Sequence, residues 1–216
     1  MCWNADISLN TFMFVTVSLV FIWTANTFTK YKSSVFDNHL VYLFVLNVAA
    51  VQLVEFFLWK NLKNAKMNAF FSKIMVGVIV LQPILLMLMV PHSTLRNGLF
   101  LAFALAALLF FHVKNPTRFH TSVSNGHLSW DWINFKGYYL PLAVFCFYAI
   151  PLMAIHQFAF SLFAFTLIGI AAVNYWKYTK YQTVGSMWCW STNLFLFLIL
   201  ADILILKPYQ EYNSVC

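Results

Sequence analysis

The chain reads as an all-α integral membrane protein, a single bundle of seven transmembrane helices. Three observations predict this. The 216 residues are 62% hydrophobic and only 9% charged, where a soluble domain is about 25% charged and about 45–50% apolar. So few charges cannot solvate a surface, which excludes a soluble enzyme, a nucleic-acid-binding domain and a disordered chain. Seven stretches approach the roughly 20 apolar residues a membrane helix needs. No stretch alternates apolar and polar residues as a strand series would. The formal net charge of +7 then belongs to loops and topology, with no nucleic acid as partner.

The spans follow in order. The first runs near 9–28; it lacks a basic leading segment and carries Asp6 in front, so it is no cleavable signal. The second runs near 39–59. The third, near 69–90, contains Gln82-Pro83 midway, where proline removes a backbone donor and predicts a kink. The fourth, near 98–113, is short at about 16 residues against the usual 20. The longest loop, 114–136, holds Asn115-Pro116, a run of small and polar residues, then Trp130-Asp131-Trp132, expected as an interfacial anchor. The fifth and sixth spans, near 137–155 and 158–176, are almost fused through His156-Gln157 into a tight helical hairpin. The seventh runs near 187–206. No loop has room for a second domain, so 1–216 is one unit.

Basic residues set the orientation. Lys60, Lys63, Lys66, Lys73, Lys114, Arg118, Lys136, Lys177 and Lys180 share the side of the N-terminal tail, against Lys30, Lys32, Arg96 and Lys207 on the other. Positive charge marks the cytoplasmic side, so the N-terminus is expected inside and the C-terminus outside, although Asp6 before the first span and Lys30 and Lys32 after it argue the reverse.

Retinal is not expected as a cofactor. A Schiff-base lysine would sit near the middle of the last span, and the only lysine there is Lys207, at its end. Cys2, Cys146, Cys189 and Cys216 show no metal-type spacing and no disulfide framework. The aromatic load of 24 Phe, 10 Tyr and 8 Trp is ordinary lipid-facing and packing material, with tryptophans gathered near span ends.

Polar side chains inside a bilayer are costly and mark function. Gln52, Glu55 and Trp59 fall on one face of the second helix at 3.6 residues per turn, with Glu55 roughly 6 Å below the Lys60 boundary. Helix direction places Cys2, Gln52, Glu55, His112, Asn174 and Cys189 in one membrane layer. Cys2, Glu55, His112 and Cys189 are candidate ligands for a transition metal such as zinc or copper, but no two share a helix at ligand spacing. A proton or ion relay through Glu55 needs fewer coincidences. His92, His156, Gln157 and Asp202 stand on the opposite side, with Asp202 expected to snorkel or pair with a neighbour.

Three motifs carry a resemblance. Met1-Cys2-Trp3-Asn4-Ala5, then Gln52-x-x-Glu55 followed by Trp59, then Ser186-x-Trp188-Cys189-Trp190 resemble a family of small heptahelical membrane proteins of bacteria, algae and large algal viruses that open Met-Cys-Phe/Trp-Ser-Ala. This chain departs at Asn4, where the family usually has serine. The resemblance implies the seven-span plan and groups Cys2, Glu55 and Cys189 in one site; it attaches no activity. The favoured expectation is a small transporter or channel with Glu55 as proton, cation or solute site, supported by Gln52, Trp59, Cys189, Cys2 and Asn174. The alternatives are a membrane-embedded enzyme or metal-binding protein using Cys2, Glu55 and Cys189, and a lipid- or partner-binding or sensing protein without turnover. The partners implied are the lipid bilayer and a small ion, proton or solute.

Overall fold

A computed structural model describes residues 4–114, 119–132, 143, 145–155, 158–178 and 190–215. Helices dominate: α1 (Ala5–Phe28), α2 (His39–Lys60), α3 (Ala65–Met89), α4 (Ser93–Lys114), the short α5 (Ile150–Ala154), α6 (Phe158–Tyr178), α7 (Trp190–Ala201) and α8 (Lys207–Val215). Among the described residues, five stretches are long and apolar enough to cross a membrane: Ala5–Phe28, His39–Lys60, Ala65–Met89, Ser93–Phe110 and Asn193–Asn213.

The first three helices share one start signal. Asn4, Asn38 and Asn64 each sit in extended backbone and accept a hydrogen bond on Oδ1, from the N–H groups of Ile7, Leu40 and Met67 respectively. Each cap satisfies one of the donors a helix start leaves open. The α1 cap lengthens that helix by four residues over the sequence expectation. Between α1 and α2, Asn26 grips the backbone of Ser33 from both sides: its Oδ1 accepts from the Ser33 N–H at 2.7 Å and its Nδ2 donates to the Ser33 carbonyl at 3.1 Å.

α2 is the central helix. It packs along α1 on one side and α3 on the other, and ten of its residues, from Val41 to Leu58, are buried. α1 buries Val15, Ser18, Leu19, Ile22 and Ala25, the three-and-four spacing of one helical face. Its opposite face is equally apolar and exposed, with Val17 at 61% and Val20 at 59%. α3 runs unbroken through Pro83 for 25 residues. α4 is 22 residues long rather than the short span expected, because Ser93–Asn97 and Lys114 join the helix.

The 114–136 loop holds structure the sequence reading did not anticipate. Thr121–Ser124 (β1) and His127–Trp130 (β2) form an antiparallel hairpin with Thr121 opposite Trp130. Its two-residue turn, Asn125-Gly126, has positive φ at both positions, 49° and 77°. These are the residues such a turn requires, because its twist matches that of the strands. β1 touches α3, and Leu128, Trp130 and Trp132 join Val51, Val54 and Leu58 of α2 and Met75 of α3 in one apolar cluster. The two tryptophans are core residues here, not the expected interfacial anchor.

In the region expected as the fifth span, a π-helical turn (Phe145–Ala149) leads into α5. His156 and Gln157, the expected link to the sixth span, lie outside the described residues. A second π-helical turn (Asp202–Leu206) joins α7 to α8, carrying the last helix nine residues past its expected end. Pro208 is tolerated there as the second residue of α8, where the wide turn has already loosened the hydrogen-bond ladder.

Candidate functional site

Gln52 and Glu55 lie on the inward face of α2 and are buried, Glu55 completely (0% exposed). The Gln52 amide Nε2 donates to Glu55 Oε2 at 3.0 Å, an i to i+3 contact that the helix geometry dictates. Trp59 follows one turn later and packs at the edge of the cluster formed by Val51, Val54 and Leu58. Its indole Nε1 is buried with no hydrogen-bond acceptor among the described residues.

The hairpin places further polar groups beside this end of α2 and α3. Asn68, fully buried on the first turn of α3, holds Thr121 as Asn26 holds Ser33. Its Nδ2 donates to the Thr121 carbonyl and its Oδ1 accepts from the Thr121 N–H, both at 2.9 Å. One turn on, Ser72 Oγ and Thr121 Oγ1 share a hydrogen bond of 2.8 Å. Ser72, Thr121, His127 and Ser129 are all buried. Burial pushes the His127 imidazole below its ordinary value, since the charged form loses hydration. Outside the hairpin, Asp131 accepts from Ser122 Oγ at 2.9 Å and meets His120 Nδ1 at 3.1 Å.

Trp130 and Trp132 stack in parallel, 5.9 Å between centroids, and the indole Nε1 of each is buried without an acceptor among the described residues. Sequence reasoning missed Asn68, Ser72, Thr121 and His127. The signal for the first two was Asn68-x-x-x-Ser72, two polar residues one turn apart at the start of an apolar helix.

The remaining candidates separate. His112 is exposed on α4, so it does not join the buried Glu55. Asn174 is carried by α6, and its side chain lies outside the described residues. Cys2 and Cys189 also lie outside them. Among the described residues, no three His, Cys, Asp or Glu side chains gather as a metal site.

At the opposite end of the helices, Glu211 accepts from Lys30 Nζ and, at 2.7 Å, from Tyr31 Oη. The Glu211 hydrogen bond raises both the Lys30 ammonium and the Tyr31 phenol above their ordinary values. Asp202 pairs with Lys207 at 3.0 Å across the second π turn, as expected of a carboxylate seeking a neighbour.

Midway along α3, Gln82 is completely buried. Tyr148, on the first π turn, donates its hydroxyl to Gln82 Oε1 at 3.0 Å. Gln82 Nε2 has no acceptor among the described residues, and on α2 the buried Asn47 Oδ1 has no donor among them. Among the described residues, Glu55 and Gln82 thus mark two buried polar loci along the helices, besides the one at Asn68, Ser72 and Thr121. Compared with family models, curated proteins and solved structures, the chain matches none of them.

Proposed function

We propose that this chain is a membrane-embedded seven-helix transporter or channel that moves a proton, small cation or small solute past Glu55. The observation that carries the reading is a completely buried carboxylate, anchored by the Gln52 amide, inside a bundle of apolar helices. A charge so placed is expensive. It is kept where it exchanges a proton or cation with what passes. The membrane setting draws support from the five long apolar stretches and from apolar side chains on the outer surface, such as Leu108 at 68% and Phe165 at 65% exposure. The basic residues support a cytoplasmic N-terminus. The grouping of Cys2 and Cys189 with Glu55, and with it the enzyme or metal-site alternative, draws on the sequence motifs alone.

The test is flux. Purified protein in liposomes with an entrapped pH dye is given a pH jump, and Glu55→Gln is compared with the unmodified chain. Gln keeps the size and a hydrogen-bonding end but cannot bind or release the proton. Flux is expected to fall at least tenfold. Equal flux through the Gln variant would sink the reading. Elemental analysis of the same sample, together with thiol labelling of Cys2 and Cys189, separates the metal or enzyme alternative.

A further inference from the structure

We propose a second polar station, a bound-water site between α2 and α3 at Gln82, Asn47 and Tyr148, in line with Glu55 on the transfer path; this inference rests on the transport reading above.

The two helices supply their own ruler. Phe57 of α2 and Phe71 of α3 stack with centroids 4.9 Å apart, fixing those residues at one level. Asn47 lies ten residues back along α2, about 15 Å, and Gln82 eleven residues on along the antiparallel α3, about 16 Å. The two amides therefore lie at about the same level, within roughly one helical turn. Helical spacing also turns both toward the α2–α3 interface. Asn47 shares the stripe of Val51, Val54 and Leu58, and Gln82 shares the stripe of Met75, Val78 and Ile79; these two stripes meet in one cluster.

The unmet hydrogen-bonding capacity at this level is complementary. Gln82 Nε2 is a buried donor and Asn47 Oδ1 a buried acceptor, each without a partner among the described residues. Pro83 has no N–H, so the carbonyl of Ile79 loses its helical donor one turn away. Tyr148 brings a hydroxyl, already engaged with Gln82 Oε1, on a π-helical turn, a distortion that recurs at functional sites. A buried water takes two to four such partners. The chemistry that fits is water, because the site offers donors and acceptors together and no net charge. Glu55 lies eight residues from Asn47 along α2, about 12 Å. At the station, water accepts a proton on one side and releases another on the far side, so one proton crosses and no side chain there changes charge.

Radiolytic hydroxyl-radical footprinting of the full chain in nanodiscs tests this directly, since it marks side chains beside bound water. Tyr148 is expected to be labelled at least fivefold faster than Tyr42, which packs against Phe36. Gln82→Leu and, independently, Asn47→Leu should lower Tyr148 labelling at least threefold. Proton flux should fall with them and in Tyr148→Phe. Tyr148 labelling no faster than Tyr42 would overturn the station, as would unchanged labelling in both Leu variants, whatever Glu55→Gln does to flux. If flux is lost in Glu55→Gln but unchanged in all three variants at the second site, the station has no place on the path while the transport reading stands. If flux is unchanged in Glu55→Gln, the reading falls by its own measurement.

Discussion

Asn68→Ala should release the β-hairpin from the helices while leaving α2 and α3 packed. The wild-type side chain forms two hydrogen bonds of 2.9 Å with the backbone of Thr121, a residue with 0% exposure. Each such bond is worth about 1 kcal/mol net, and a buried backbone group left unpaired costs about 1–3 kcal/mol. Truncation removes both bonds and orphans an N–H and a C=O where water cannot easily enter. The expected loss is about 3 kcal/mol for hairpin docking, roughly a hundredfold in its opening equilibrium. Hydrogen exchange read by mass spectrometry on peptides covering 119–132 reports that equilibrium directly. The hairpin amides should exchange about a hundredfold faster, while peptides within α2 change little. Asn68→Asp keeps the acceptor and loses the donor, so it should fall between. Hairpin exchange within twofold of wild type in Asn68→Ala would refute the argument that this one side chain holds the segment.

Further outcomes follow from other contacts. Gln52→Leu removes the donor to Glu55 Oε2 and should lower the thermal midpoint by a loss of about 1–3 kcal/mol. The double variant with Glu55→Leu should cost clearly less than the two single losses summed; additive losses would show that the pair is not coupled. Replacing Asn38 or Asn64 by Ala should cost about 1 kcal/mol each, and Ser should restore most of it, read from denaturant midpoints. His127 gives a pH signature. Its folded-state value is depressed by burial, so the unfolded hairpin binds protons more readily. Stability is full above about pH 6.5, the unfolded value, and is lost as pH falls toward the folded value. Hairpin protection should therefore drop between pH 7.5 and 5, and His127→Gln should flatten that slope; a parallel slope in the variant would reject the assignment.

Much of this architecture was legible because hydrophobic length and turn residues are local properties. His39–Lys60 appears almost residue for residue, since Asn38 caps it and Lys60 closes an apolar run. The pairing of Gln52 with Glu55 follows from helical spacing alone. What escaped depended on contacts distant in sequence. Nothing near Asn68 announces that its partner is Thr121, 53 residues away. The hairpin itself was signalled by Asn125-Gly126 between Val123 and Leu128, but its strands are only four residues each and drowned in a polar loop. Trp130 and Trp132 read as anchors because tryptophan near a span end is ambiguous until a second surface is seen to cover it. The fourth span looked short because Arg96 and Asn97 interrupt its hydropathy without interrupting the helix.

The distance in sequence between Ser72 and Thr121 also sets a timetable for biosynthesis. Forty-nine residues separate the two hydroxyls that meet at 2.8 Å. At roughly 5–20 residues per second, the ribosome needs about 2–10 s to make that stretch. During that interval α3 is completed at Met89, and until Thr121 is made Asn68 and Ser72 lack their native partner. A chaperone or the insertion machinery that shelters polar helix faces would act in that window. Synonymous codon changes that slow translation between α4 and the hairpin would lower yield without altering the finished protein.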